Sequence, residues 1–148
     1  MKKLVIVFVM SCITLSLTAQ DFDFVIGKLE NNLPVLTFDK DAACKSLSKN
    51  LLSASNIKET YTKVEIVKVN DYYALVFKGS TYRTTFAVKA IGNSLVAKVK
   101  VSCTTTGKNC TLDGNACAPS SSAGQCACTA CPEGETCTKT CSSENLIE

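Results

Sequence analysis

The chain has 148 residues, of which 46% are apolar, with ten cysteines, no histidine and a formal net charge of +3. This length allows one small globular domain with a tail. The lack of histidine excludes Ser-His-Asp and Cys-His catalysis and histidine metal ligands, and the small net charge gives no reason to expect a nucleic-acid partner.

The first 19 residues have the features of a secretory signal peptide. Two lysines follow the initial methionine, an apolar run covers residues 4–10, and small residues precede an acidic stretch. Hydroxyl side chains interrupt the apolar run, which is too short to span a bilayer. We therefore expect a signal peptide over residues 1–19, cleaved between Ala19 and Gln20, and no membrane span.

Residues 9–12 loosely resemble a bacterial lipoprotein box, with Cys12 as the site of lipid attachment. The chain stays apolar after Cys12 instead of opening into a polar tether, which favours a cysteine inside the signal peptide. Removal of residues 1–19 leaves 14 basic and 13 acidic groups. We expect a secreted, periplasmic or cell-envelope location, where disulfides are the default state of cysteine pairs.

The next segments combine extended structure with one helix. Residues 22–26 and 33–38 are predicted to be extended, and Pro34 places the second of them at an edge or in a loop. Asp39 is a typical helix N-cap. The apolar residues behind it recur at helical spacing, which predicts a helix over residues 40–54.

Four β-rich segments follow, separated by short turn sequences containing Asn, Asp or Gly: residues 61–69, 72–78, 81–91 and 94–102. Such gaps are typical of hairpins. The last two segments alternate between apolar and polar side chains, so one face of the sheet is expected to be dry and the other wet.

The predicted fold class is therefore α+β, with one helix packed on a four-stranded antiparallel meander in a domain over residues 20–101. A small disulfide-rich, loop-dominated C-terminal module over residues 102–148 follows. Four basic residues are expected on the wet face: Arg83, Lys89, Lys98 and Lys100. They either solvate an exposed sheet or form a surface for an anionic polysaccharide or lipid.

The tail contains eight cysteines: Cys103, Cys110, Cys117, Cys126, Cys128, Cys131, Cys137 and Cys141. It has no aromatic residue, and its large aliphatic residues are Leu112, Leu146 and Ile147. So little apolar surface cannot offset the chain entropy, so cross-links are needed to order the tail. We expect four structural disulfides, and we expect the tail to add little apolar surface to the core. The cysteines allow about a hundred pairings, so the sequence does not define the connectivity.

Two other functions of the tail compete with structural bridges. Cys126, Cys128 and Cys131 have the C-x-C and C-x-x-C spacings by which thiolates chelate soft metal ions. Cys128 and Cys131 also have the spacing of a redox-active pair, but turn-forming residues surround them where such a pair normally begins a helix. Structural bridges are the preferred interpretation, and we expect no cofactor, no metal site and no catalytic residue.

Cys44 lies on the apolar face of the predicted helix. Without Cys12 the chain holds nine cysteines, so at least one is unpaired. A buried free thiol at Cys44 is the preferred interpretation, and the alternative is a Cys44–Cys103 bridge.

The sequence contains no phosphate-binding loop, and its paired carboxylates, such as Glu133 and Glu135, fall on polar loops where solvation explains them. We therefore predict an exported structural or interaction protein that is not an enzyme. Its partner would be a protein or a component of the cell envelope. The alternative is a soft-metal-binding protein that uses the tail thiolates.

Overall fold

The computed structural model describes residues 24–69, 72–112, 116–119, 126–132 and 134–148. The predicted signal peptide, its cleavage site and the turn predicted at residues 70–71 lie outside these residues. Within the described ranges, none of the helices has the length and apolar character needed to cross a membrane.

The described residues form one α-helix and eight β-strands. In chain order these are β1 Phe24–Glu30, β2 Leu33–Leu36, α1 Lys40–Ser55, β3 Lys63–Val69, β4 Tyr72–Lys78, β5 Arg83–Ile91, β6 Ser94–Ala97, β7 Val101–Thr105 and β8 Thr138–Cys141.

All strand pairs are antiparallel, and the main order in the sheet is β2-β1-β6-β5-β4-β3. Strand β5 pairs with β4 along one edge, and along the other edge with β7 and then β6. Strand β8 pairs with the free side of β7. The two end strands, β2 and β3, approach each other, so the sheet is nearly closed into a barrel.

The predicted architecture, a helix packed on a four-stranded antiparallel meander, is wrong. The fold is mostly β, because the N-terminal hairpin joins the sheet through β6 and the tail supplies β8. The segment predicted as one strand over residues 94–102 forms two, with a turn at residues 99–100 between β6 and β7. Each of these short strands therefore pairs with a different outer neighbour. Strand β7 also crosses the predicted domain boundary after residue 101, and the division into two domains stays a prediction.

Local signals predicted the helix correctly. Asp39 caps α1, because its Oδ1 accepts hydrogen bonds from the backbone N–H groups of Asp41 and Ala42, both at 3.0 Å. Asn56 caps the C-terminal end of α1, and its φ of 56° lies in the left-handed region that terminates many helices.

The first two strands form a hairpin, a pairing that the sequence analysis did not predict. Asn31 and Asn32 have φ angles of 51° and 63°, which asparagine tolerates better than most residues. Pro34 lies in β2 at the end of the sheet order, so its prediction as an edge-strand residue is confirmed.

The main core lies inside the curved sheet and is closed by α1 and the C-terminal end of the chain. Its members come from α1, from strands β1 and β3 to β6 and from the connections between them, together with Leu146 and Ile147, which are 1% and 0% exposed. The backbone N–H of Leu146 donates to the Val99 carbonyl at 2.9 Å, which ties this end of the chain to the sheet. Leu146 and Ile147 therefore belong to the main core inside the sheet.

The outer face of the sheet is also partly dry. Ala74 and Val76 of β4 are fully buried there against Leu112 and Ala118 of the cysteine-rich tail. All three large aliphatic residues of the tail are thus buried, so the expectation that the tail adds little apolar surface is wrong. The sequence carried a signal for this cover, because four consecutive residues of β4 are apolar, as in strands buried on both faces.

A carboxylate secures the turn between β4 and β5. Glu59 accepts backbone hydrogen bonds from Thr81 and Tyr82, both at 2.7 Å, and from Thr60 at 2.8 Å. Burial raises the pKa of Glu59, but hydrogen bonds from Tyr82, Thr81, Thr60 and Ser80 together outweigh it and lower the pKa below the ordinary value of 4.5.

We expect Glu59→Gln to lower the free energy of unfolding by about 1 kcal/mol at neutral pH, since these hydrogen bonds are partly exposed. A depressed pKa stabilises the folded state above the ordinary value, and this stabilisation disappears as the pH falls through the folded-state pKa. The difference between wild type and variant should therefore shrink below about pH 4.5. Urea unfolding at several pH values measures it, with Glu30→Gln, in an exposed ion pair with Lys28, as the control.

A difference between wild type and Glu59→Gln that stays constant down to strongly acidic pH would contradict this account of the turn.

Candidate functional site

The eight tail cysteines form four disulfides with a regular connectivity. Each of the first four cysteines pairs with the cysteine four places later in the series: Cys103–Cys128, Cys110–Cys131, Cys117–Cys137 and Cys126–Cys141. The Cα atoms of the pairs lie 5.1 to 6.0 Å apart, within the range that disulfides require. The bridged loops all overlap, so the two halves of the tail are held side by side.

Strands β7 and β8 place the ends of this framework on the sheet. Cys103 lies in β7 and Cys141 lies in β8, and the two strands pair through Val101 opposite Cys141 and Cys103 opposite Lys139. Because β7 also pairs with β5, the first and last cysteines are attached to the barrel by backbone hydrogen bonds.

Polar contacts attach the middle of the tail to the outer face of β5. The Thr85 hydroxyl is fully buried, and its single proton is shared between the carbonyls of Cys117, at 2.8 Å, and Cys103, at 3.2 Å. The Arg83 guanidinium donates through Nη2 to the Ala116 carbonyl at 3.1 Å. Burial lowers the pKa of Arg83. Arg83 therefore lies under the tail, and the part of the sheet around it is not the wet face that the sequence predicted.

A cleft of about 450 Å³ opens above three of the bridges. It is lined by Ala127, Cys128, Thr129, Ala130, Cys131, Glu135, Cys137 and Lys139. The three cysteines in this lining are half-buried, while their bridge partners Cys103, Cys110 and Cys117 are buried beneath them. Each of these bridges thus presents one sulfur to the cleft and keeps the other inside the protein.

The six sulfurs of these bridges form two groups of three. The Sγ atoms of Cys103, Cys128 and Cys137 all lie within 4.8 Å of one another, and so do those of Cys110, Cys117 and Cys131. We call these the first and second sulfur triads. Each triad contains one complete bridge and one sulfur of the Cys117–Cys137 bridge, which therefore connects the two triads.

The carboxylate of Glu135 lies next to Gly107, close to Cys110 of the second triad. Its Oε1 accepts a hydrogen bond from the Asn109 backbone N–H at 3.1 Å. Its Oε2 is buried and has no hydrogen-bond partner within the described part of the chain. Gly107 makes room for it, since a Cβ at Gly107 would overlap Oε2 and would lie 2.9 Å from the Cβ of Cys110. A buried carboxylate oxygen without a partner is energetically costly, so it marks this corner of the cleft as a place where a positive group would be stabilised.

Cys117 has an unusual backbone conformation. Its φ is 46°, in the left-handed region that costs a non-glycine residue roughly 1 kcal/mol. The bond from Thr85 to the Cys117 carbonyl and the bridge to Cys137 hold the residue there.

The ninth cysteine is separate from the cleft. Cys44 of α1 is buried and unpaired, as predicted, and Cys103 bonds to Cys128, which excludes the Cys44–Cys103 alternative. Burial, and secondarily the charge of Asp41, raises the pKa of the Cys44 thiol, which makes it a poor nucleophile.

The structure also separates the two cysteines of the predicted redox pair. Cys128 and Cys131 line the same cleft, but each is bonded to a different buried cysteine of the first half of the tail. They do not form the C-x-x-C bridge that thiol–disulfide oxidoreductases use.

Sequence reasoning missed Glu135 as a member of this site and placed it on a solvated loop.

Comparison of the chain with models of known protein families, with curated proteins and with solved structures finds no match.

Proposed function

We propose that the protein is an exported structural or interaction protein without enzymatic activity, in which the cysteine-rich tail is a covalently fastened surface layer on a β-barrel. The observation that carries this proposal is that four overlapping bridges order a segment poor in apolar residues and hold it against the outer face of β4 and β5. Disulfides of this density are typical of proteins that work outside the cytosol.

The partner in this proposal is a protein or a component of the cell envelope that contacts the tail. The cleft supports such a contact because it combines the carboxylate of Glu135 and the ammonium group of Lys139 with a rigid floor of bridges. Rigid loops lose little conformational entropy on binding, and this favours recognition by a preformed surface.

The intact mass of the protein recovered from its native location tests the proposal. We expect a chain that begins at Gln20, whose mass increases on reduction by two hydrogens for each of the four bridges. We also expect the eight tail cysteines to resist alkylation before reduction. Retention of residues 1–19, a lipid on Cys12, or free tail thiols in the native protein would each contradict it.

A second candidate function is the binding of soft metal ions by the tail cysteines. The observation that favours it is the pair of sulfur triads, which place metal-binding side chains together in two groups. Thiolates are the ligands that such ions require, so this function belongs to the reduced protein. Metal bound to the natively isolated protein, and unfolding of the tail by a chelator without reductant, would favour it over the first.

A further inference from the structure

The three sulfurs of each triad are spaced nearly as three thiolate ligands of one metal ion would be. In the oxidised protein, two of the three are joined by a disulfide bond. Three sulfurs bound to one ion at about 2.3 Å lie roughly 3.8 Å from one another in tetrahedral geometry. In each triad, all sulfurs already lie within 4.8 Å of one another, so the unbonded sulfur needs to move by about 1 Å or less. The two bonded sulfurs need to separate by somewhat less than 2 Å once their bond is broken.

We propose that, when the three bridges under the cleft are reduced, the protein binds two thiophilic divalent metal ions, one on Cys103, Cys128 and Cys137 and one on Cys110, Cys117, Cys131 and Glu135. This inference rests on the second candidate function and assigns its residues. The fourth bridge, Cys126–Cys141, belongs to neither triad and has no role in the two sites.

The chemistry balances with a dithiol or phosphine as the reductant. Each bridge accepts two electrons and two protons and becomes two thiols, while a dithiol becomes a disulfide or a phosphine takes up the oxygen of water as a phosphine oxide. Each metal ion then displaces three protons from the thiols of one triad. Metal binding is therefore coupled both to reduction and to proton release.

Glu135 is the oxygen ligand that we assign to the second site. It is not among the residues whose ligand atoms already lie within 4.8 Å of one another there, so its side chain has to move toward the three sulfurs when the ion binds. Its Oε2 is buried without a partner in the described residues, and it lies next to Gly107, close to Cys110. Cys131 of the same triad lines the cleft together with Glu135. Carboxylate oxygens bind zinc in sites that also contain thiolates, so a metal ion here would satisfy a buried carboxylate oxygen that has no partner among the described residues.

The surroundings of the triads suit an anionic metal–thiolate group. Lys139 lines the cleft and pairs in register with Cys103 of the first triad, so this cationic residue belongs to the surroundings of that triad. The Thr105 hydroxyl lies 3.7 Å from the sulfur of Cys131, which belongs to the second triad. Because the cleft reaches one sulfur of each bridge, an ion and a reductant can enter from solvent.

Titration of the reduced protein with Cd²⁺ tests the inference. The purified protein is reduced with a phosphine, freed of oxygen, and titrated while thiolate-to-cadmium absorption, circular dichroism and native mass are recorded. We expect absorption to reach a plateau at two ions per chain, matching the two triads, and native secondary structure to return as the ions bind. The oxidised protein should bind none.

Three variants assign the ligands. Cys137→Ser should bind one ion in place of two, because it removes one sulfur of the first triad. Cys126→Ser combined with Cys141→Ser also removes one bridge, and two thiols where Cys137→Ser removes one, but should still bind two ions. Glu135→Gln should still bind two, with the affinity of one site reduced about tenfold or more.

Different results contradict different parts of the proposal. An unchanged affinity in Glu135→Gln overturns the role of Glu135. Any stoichiometry other than two, no loss in Cys137→Ser, or loss of an ion in the Cys126/Cys141 variant overturns the assignment of the triads. No binding by the reduced protein also overturns the second candidate function, whereas the proposed structural role is tested separately by mass and alkylation.

Discussion

Combined substitution Leu146→Ala and Ile147→Ala is expected to destabilise the whole protein by about 4 kcal/mol or more, because each fully buried side chain costs about 2 to 5 kcal/mol when truncated. This loss is a large part of the stability of a typical small domain. Both residues fill the core between α1 and the sheet, although they lie at the end of a tail that is otherwise poor in apolar residues.

Urea unfolding followed by circular dichroism measures this effect. The matched control is Leu52→Ala combined with Ile91→Ala, since these side chains are 47% and 53% exposed and their truncation should cost much less. Hydrogen exchange shows whether Leu146 and Ile147 support the whole sheet or only the tail. If only residues 102–148 lose protection while the sheet keeps it, the C-terminal residues do not belong to the core and the prediction is wrong.

Removal of the central bridge, by Cys117→Ala with Cys137→Ala, is expected to lower the free energy of unfolding by about 3 to 5 kcal/mol. The bridge joins residues 20 positions apart, which corresponds to about 3 kcal/mol of chain entropy in the unfolded state. The remainder comes from the cavity left by the fully buried Cys117 and from the weakened contact of its carbonyl with Thr85.

The expected loss extends beyond the tail, because the tail covers Ala74 and Val76 on the outer face of β4. We therefore expect the amide groups of β4 and β5 to exchange faster in this variant. Cys44→Ala is the control, since it removes a buried sulfur that has no bridge. Unchanged exchange in β4 and β5, with changes confined to the tail, would show that the tail does not support the sheet.

The candidate site was only partly predictable from the sequence. The disulfide-rich character of the tail and the unpaired Cys44 agree with the sequence, because composition and the number of cysteines can be read from it directly. Glu135 was not identified. Its neighbours in the sequence are polar turn residues, and the buried corner beside Gly107 and Cys110 that makes it unusual comes from a segment more than 20 residues earlier.

Sequence alone determined the elements that depend on residues close together in the chain. These are the helix after Asp39, most of the strands that follow it, the edge position of Pro34 and the need for cross-links in the tail. Tertiary structure alone decided the barrel-like sheet, the one connectivity among many and the burial of Leu146 and Ile147. The physical reason is that alternation along a strand shows that a face is covered, but not which distant segment covers it. Bridges that span 15 to 25 residues, and strand pairings such as that of Phe24 with Ala97, are selected by packing of the whole fold.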